Sequence, residues 1–147
     1  MTPQPVVLVD ARNVMRSRWP NIPEERFVEL TRAWAEQEGA QVVAVFDGRA
    51  PGEREGITVV GTGRESADDW IAGHARDLAR DGHRVWLVSS DRELKERVAG
   101  HVDSIIGGGS FAGRLEALAQ EGRRYYRPTG GGPAGEGKER SDGGDDE

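Results

Sequence analysis

The sequence contains no cysteine among its 147 residues, which excludes a disulfide framework, a thiolate metal site and a cysteine nucleophile. No apolar run approaches the roughly 20 residues that a membrane-spanning helix needs. The N-terminal residues carry no basic segment ahead of their short apolar run, so we expect no signal peptide. We therefore expect a soluble cytoplasmic protein that has no membrane partner.

Two common catalytic patterns are also missing. The sequence lacks the G-x-x-x-x-G-K-[ST] motif of the P-loop NTPases, and no arrangement of serine, histidine and aspartate predicts nucleophilic catalysis. Lysine is scarce, since Lys95 is the only lysine in residues 1–127 and the other basic residues there are arginines. The planar guanidinium group suits phosphate oxygens, although high-GC codon usage explains the same bias equally well.

Residues 128–147 contain no aromatic residue and no aliphatic residue larger than alanine. Such a segment cannot offset its own ordering entropy, so we predict a disordered tail after a folded domain of residues 1–127. The tail carries six of the 26 acidic residues and two of the 20 basic residues, which leaves 20 acidic and 18 basic residues in the domain. The net charge of −6 for the whole chain therefore does not exclude a nucleic-acid partner.

The folded domain alternates between short apolar runs and helical segments. The runs that predict strands are 5–10, 41–48, 57–63, 84–91 and 102–109, and the helical segments are 23–39, 66–82, 92–100 and 110–122. This alternation predicts an α/β protein with a mainly parallel five-stranded sheet covered by helices. The link between the second and third runs is too short for a helix, which leaves an extended connection or an antiparallel edge strand.

Aspartates follow three of the predicted strands. Asp10, Asp47 and Asp91 end the first, second and fourth strands, and Asp68 and Asp69 begin the helix after the third. The carboxyl ends of parallel strands share one edge of the sheet, where ligands bind, so we expect these acids to converge. Each acid also has an ordinary structural explanation as a turn residue, a helix cap or a partner of the helix dipole.

Clustered carboxylates repel one another, and a bound divalent cation removes that conflict. Oxygen ligands without histidine or cysteine favour Mg²⁺ or Mn²⁺, which can activate water for attack on a phosphodiester. Asn13 lies three residues beyond Asp10, where its amide could orient a water molecule or a phosphate oxygen. Ser89 and Ser90 precede Asp91 and could bind the same groups, with ordinary capping as the preferred role of Ser90.

The segments "LVDARNVM", "VFDG", "SADDWI" and "VSSD" occur in this order and resemble the YacP-like branch of the NYN domains, within the PIN-like ribonuclease superfamily. The resemblance covers about residues 5 to 120. It implies a Rossmann-like, three-layer α/β/α fold and an acidic nuclease centre that depends on Mg²⁺ or Mn²⁺. By position, it implies catalytic roles for Asp10, Asn13, Asp47, Asp68 and Asp91, and metal ligation by Asp10, Asp68, Asp69 and Asp91, with the choice between Asp68 and Asp69 open.

An acidic centre needs basic residues around it to hold a polyanion. The arginines that follow the predicted strand ends are candidates for RNA binding, although a solvated surface explains each of them singly: Arg12, Arg16, Arg49, Arg64 and Arg92. Trp19 could stack an RNA base, but a tryptophan beside a proline more often packs over the core.

These features predict a metal-dependent endoribonuclease that acts on RNA, single-stranded RNA being the favoured form. The resemblance implies products with a 3′-hydroxyl and a 5′-phosphate. The alternative is a non-catalytic RNA-binding module on the same fold, which could be ribosome-associated. A receiver-type phosphotransfer domain is disfavoured, because such domains use a lysine at a late strand end and the fifth predicted strand has none.

Overall fold

The structure is a computed structural model and describes residues 4–125, with side chains described through residue 122. Its elements follow in chain order: β1 (Val6–Asp10), α1 (Ala11–Met15), α2 (Glu24–Glu38), β2 (Gln41–Phe46), β3 (Thr58–Gly61), α3 (Ala67–Arg80), β4 (Val85–Val88), α4 (Arg92–Val98), β5 (Ser104–Ile106) and α5 (Gly108–Tyr125). The predicted tail of residues 128–147 lies outside the described residues. No helix in the described part is long and apolar enough to cross a membrane.

The five strands form one parallel sheet in the order β3-β2-β1-β4-β5. The central strand β1 lies between β2 and β4, so the strand order reverses beside it. In sheets of this kind, ligands bind at the carboxyl edge next to such a reversal. The topology therefore directs attention to the residues that follow β1 and β4.

Helices cover both faces of the sheet, which confirms the predicted α/β fold with a parallel five-stranded sheet. All five residues of β1 are buried, as expected for a central parallel strand covered on both faces. Its side chains alternate between two cores: Val7 and Val9 pack with Phe27 and Phe111 of α2 and α5. Val6 and Leu8 pack on the opposite face with residues of α3 and α4.

Three local features differ from, or complete, the pattern predicted from the sequence. The link between β2 and β3 is an extended connection, and the two strands pair in parallel without a helix between them. A short helix, α1, follows β1 directly. The fifth strand ends at Ile106, because Gly108 and Gly109, placed in the strand and its turn by the sequence pattern, begin α5.

Candidate active site

The carboxyl edge of the sheet gathers the ends of β1, β2 and β4 and the start of α3. Asp10 is the last residue of β1, Asp47 directly follows β2, and Asp91 lies three residues beyond β4. Asp68 lies in the first turn of α3. The structure therefore brings to one edge four aspartates that are spread over about eighty residues of sequence.

Asp10 and Asp91 are joined by Ser89. The Ser89 hydroxyl donates to Asp10 Oδ2 over 2.9 Å and accepts from the backbone N–H of Asp91 over 3.1 Å. Asp10 and Ser89 are both buried, with Asp10 only 7% exposed. Because the hydroxyl bonds in both directions, it fixes the loop after β4 relative to the end of β1.

The pKa values of Asp10 and Asp68 show that these carboxylates share one electrostatic field. Burial raises the pKa of Asp10; the Ser89 hydrogen bond and the charge of Arg16 lower it, and Asp68 and Asp91 raise it further. Burial also raises the pKa of Asp68, with Asp91 the next contributor in the same direction. The negative charge at this edge is therefore only partly balanced by nearby cations.

Asp68 and Asp69 are adjacent but have different surroundings. Asp69 is exposed, and its Oδ1 accepts from Arg97 Nη1 of α4 over 2.9 Å. Asp68 is half-buried; burial and the charges of Asp91 and Asp47 raise its pKa, and the charge of Arg97 lowers it. Its partial burial and its interaction with Asp91 favour Asp68 as the acid that faces the site, whereas Asp69 is paired with Arg97.

Asp47 and Asp91 also act as helix caps. Asp47 Oδ1 accepts from the backbone N–H of Ala67 over 3.2 Å at the start of α3. Asp91 Oδ1 accepts from the N–H of Leu94 over 2.9 Å and caps α4. Each of these bonds uses one carboxylate oxygen, so capping and ligand binding are compatible roles for the same aspartate.

A second connection at this edge involves Asn13, Ser90 and Gly108. Asn13 Oδ1 accepts from the backbone N–H of Ser90 over 2.9 Å, and Ser90 Oγ accepts from the N–H of Gly108 over 2.8 Å. A Cβ at Gly108 would collide with Asn13 Oδ1. Ser90 therefore caps α5 rather than α4, and the Asn13 amide group keeps its NH₂ as a donor for a ligand.

The predicted RNA-binding arginines differ in their availability. Arg12 is committed to the fold, since it pairs with Glu24 over 3.1 Å and donates to the carbonyls of Asp47 and Arg49. Arg16 is exposed and close enough to lower the pKa of Asp10. The remaining three are exposed and form no ion pair with any residue that the structure describes: Arg49, Arg64 and Arg92.

The chemistry of the donor set suits a hard cation, but the side chains are not drawn together as a ready-made site. Among residues 4–122, no three carboxylate or histidine groups are close enough to hold a metal ion as they stand. Asp10 and Asp91 each use one oxygen in a hydrogen bond, and none of the described donors reaches their other oxygens or those of Asp68. The set therefore offers oxygen ligands whose mutual repulsion a cation would relieve.

Two of these connections could not be found from local sequence. Asp47 contacts Ala67 across 20 residues, and Arg97 contacts Asp69 across 28. Both depend on how α3 packs against the sheet and against α4. A role for Ser89 at the site was indicated by the sequence, because a serine close to a strand-end aspartate is placed to bind the same water or phosphate oxygen.

A comparison with protein-family models matches residues 7–130 to the YacP-like NYN domain. The chain belongs to this family. Its fold is similar to that of Rae1 (YacP) from Bacillus subtilis, with 18% identity, coverage of 82% of this chain and 79% of that chain, and a TM-score of 0.65. A tryptophan-to-leucine mutant of the same protein gives 20% identity, coverage of 82% and 80%, and a TM-score of 0.63. The comparison with curated proteins found no significant match.

The family match confirms the resemblance carried by the four motifs. All four lie within the matched residues, and the Asp10, Asp47, Asp68 and Asp91 positions of this YacP-like NYN domain converge at the sheet edge described above. The structural similarity to Rae1 extends over most of both chains and confirms the PIN-like fold.

Proposed function

We propose that this YacP-like NYN domain is a metal-dependent endoribonuclease whose centre is formed by Asp10, Asp68 and Asp91. The observation that carries the proposal is a buried aspartate, Asp10, held by Ser89 in one field with two further acids. Repulsion among carboxylates costs stability unless a cation or a proton relieves it. A buried acid whose pKa is raised by burial and by two neighbouring acids therefore marks a candidate functional site.

Mg²⁺ or Mn²⁺ fits this donor set, with Asp10, Asp68 and Asp91 as the proposed ligands. When bound, such a cation supplies Lewis-acid activation of the phosphodiester and of the attacking water. Asp69 is the less favoured ligand, because it already pairs with Arg97. Asp47 lies at the rim of the site, where its side chain accepts the backbone N–H of Ala67 at the start of α3 and its charge raises the pKa of Asp68.

In the proposed hydrolysis, the oxygen of water forms a bond to phosphorus and the bond from phosphorus to the 3′ oxygen breaks. The 3′ oxygen takes up a proton from solvent as it leaves, so the products carry a 3′-hydroxyl and a 5′-phosphate. The half-buried carboxylate of Asp68, through the oxygen that does not bind the cation, is the proposed acceptor for the proton of water. The NH₂ group of Asn13 serves as a donor to a phosphate oxygen, because its carbonyl oxygen is held by Ser90. Arg16, Arg49, Arg64 and Arg92 are the proposed contacts to the RNA backbone.

The test uses the full chain, end-labelled single-stranded RNA and either Mn²⁺ or Mg²⁺, with EDTA as the metal-free condition. We expect cleavage that EDTA stops. In Asp10→Asn and in Asp91→Asn, the cleavage rate should fall by more than the roughly 10- to 100-fold loss that follows removal of an outer-shell partner of a metal site. Asparagine still caps helices well, so Asp91→Asn should keep α4 intact.

Asp77→Asn is the matched control, because Asp77 is an exposed acid of α3 that pairs with Arg76 and Arg80. A second readout is the melting temperature with added Mn²⁺. Binding at 100 times Kd stabilises the folded state by about 2.7 kcal/mol, and Asp10→Asn should remove most of this gain. Unchanged cleavage in both site variants would overturn the catalytic assignment. RNA that is bound but never cut would instead indicate a non-catalytic RNA-binding module.

A further inference from the structure

Trp19 is almost entirely exposed. The residue is 93% exposed, whereas the next most exposed large apolar residue that the structure describes, Ile105, is 41% exposed. The expectation that Trp19 packs over the core is therefore wrong. Tryptophan offers a large apolar surface and a polar N–H, and it is enriched where a protein binds a partner.

The backbone on both sides of Trp19 is anchored. The N–H of Ser17 bonds to the carbonyl of Val14 over 3.1 Å, and the N–H of Ile22 bonds to the carbonyl of Met15 over 3.0 Å. Arg18 pairs with Glu116 of α5 over 2.7 Å. The indole is thus presented to solvent by a fixed segment and not by a free loop.

Trp19 borders a groove of about 460 Å³ between α2 and α5, which is within the roughly 300–1,000 Å³ range of ligand sites. Apolar side chains of both helices line it, including Leu30 and Leu115. Its charged residues are Arg18, Arg26 and Glu116, and Glu116 is already paired with Arg18. Arg26 forms no ion pair within residues 4–122, so the groove presents one uncommitted positive charge.

A chain of contacts links the groove to Asn13 of the aspartate site. Arg18 Nη2 donates to the carbonyl of Gly109 over 3.3 Å at the start of α5. The preceding residue, Gly108, lies against Asn13. Arg18, Gly109 and Gly108 thus connect the groove to Asn13, and Arg16 lies between Asp10 and Trp19 in the chain.

We propose that Trp19 stacks a nucleobase that flanks the cleaved phosphate of a single-stranded RNA, while Arg26 contacts the backbone of the same segment. The inference rests on the proposed function for the identity of the ligand. Aromatic stacking beside a positive groove holds single strands without regard to sequence. A polyanion is favoured over a protein surface because Arg26 in the groove and the exposed Arg49, Arg64 and Arg92 form no ion pair with any described residue, whereas Arg18 and Arg97 are paired.

The experiment measures binding without cleavage, using a fluorescein-labelled single-stranded RNA and the full chain in EDTA. Stacking on one base is lost in Trp19→Leu, so the Kd should rise about 5- to 150-fold. Trp19→Phe retains a ring and should recover most of the affinity. Arg26→Gln should reduce the slope of log K against log salt by about 0.7. Ile105→Ala, at the other exposed apolar residue, should leave the Kd unchanged.

Abasic substitutions then locate the stacked base. A single abasic nucleotide at one flanking position should weaken binding to the parent chain by a similar factor, and should have no further effect on Trp19→Leu. Parent-like binding by Trp19→Leu, or equal abasic effects in both proteins, would overturn the inference even if the RNA is cleaved. If an RNA binds in a Trp19-dependent way but is not cleaved with Mn²⁺ or Mg²⁺, this inference is supported while the proposed catalytic function fails.

Discussion

Asp10 is the residue that best shows how structure and chemistry conflict at this site. It follows four buried apolar residues of a central strand and is itself buried. A carboxylate in such a position loses hydration, and the neighbouring charges of Asp68 and Asp91 add repulsion. The hydrogen bond from Ser89 offsets only part of the lost hydration and of the repulsion. The ionised side chain therefore destabilises the metal-free fold.

This reasoning predicts how metal-free stability depends on pH. Because the folded state raises the pKa values of Asp10 and Asp68, it binds their protons more tightly than the unfolded chain does. Their contribution to stability is therefore largest below the ordinary aspartate pKa of about 3.9 and is lost as pH rises through the folded values. Asp10→Asn should raise the melting temperature at pH 7 in EDTA by a few degrees, corresponding to about 1 kcal/mol.

Thermal unfolding from pH 4 to pH 8 measures this directly. The gain in Asp10→Asn should shrink toward pH 4, where the parent carboxyl is already protonated in part. Asp77→Asn carries the same change at an exposed, ion-paired position and should show no such gain. A lower melting temperature for Asp10→Asn than for the parent at pH 7 would mean that the hydrogen bond from Ser89 outweighs burial and repulsion.

Gly108 is a second residue whose identity the site requires. A Cβ here would enter the space of Asn13 Oδ1, which binds the N–H of Ser90. We expect Gly108→Ala to lower stability by about 1–3 kcal/mol, as overpacking does, and to slow cleavage by displacing Asn13. In Gly113→Ala, one turn further along α5, the new methyl would meet Arg18 at 3.6 Å, an ordinary contact. This control should be neutral or slightly stabilising by melting temperature, and should retain cleavage.

At the scale of elements, the first turn of α3 separates two adjacent acids. Successive side chains of a helix point about 100° apart, so Asp68 and Asp69 cannot both face the sheet edge in the same way. We predict that Asp68→Asn reduces cleavage as strongly as Asp10→Asn. Asp69→Asn should retain cleavage and lose at most about 1 kcal/mol with the exposed Arg97 ion pair. Cleavage rates and melting temperatures of both variants decide the assignment, and the reverse pattern would make Asp69 the ligand.

The elements also show what sequence patterns can and cannot predict. Continuous apolar runs such as Val6–Val9 identify buried parallel strands because every side chain meets a covering helix. The acids at the ends of those runs converge because parallel strands end at one edge, so the composition of the candidate site followed from topology. The sequence pattern did not predict that β2 and β3 pair in parallel, because parallel neighbours are usually joined by a longer crossover that contains a helix. Here the extended link 47–57 connects the two strands without a helix.

The finer contacts of the site depend on packing between elements that are remote in sequence. The bond between Asp10 and Ser89 joins residues 79 positions apart; the sequence placed both at the carboxyl ends of parallel strands but did not predict that they bond to each other. The partner of Asp69 could not be predicted from the sequence, because Arg97 lies on α4 and reaches α3 only when both helices pack on the same face of the sheet. The exposure of Trp19 also escaped prediction, because nothing in the neighbouring sequence distinguishes a presented indole from a packed one.

For the whole molecule, the described fold lies ahead of the acidic C-terminal segment. The family match ends at residue 130, and both cores are composed of residues from 6 to 118. Residues 128–147 add six acids and two bases to a domain that otherwise has 20 and 18. The segment therefore carries four of the six net negative charges of the chain.

Deletion of residues 128–147 should leave the melting temperature and the rate of metal-dependent RNA cleavage unchanged at physiological salt. Any electrostatic effect of the missing acids should appear only at low ionic strength, where screening is weak, as a modest gain in RNA affinity. A full-length variant with the six acids of this segment changed to Asn or Gln separates charge from length and should show the same gain. A truncated chain that melts earlier, or cleaves more slowly at 0.15 M salt, would show that the segment contributes to the fold or to the site.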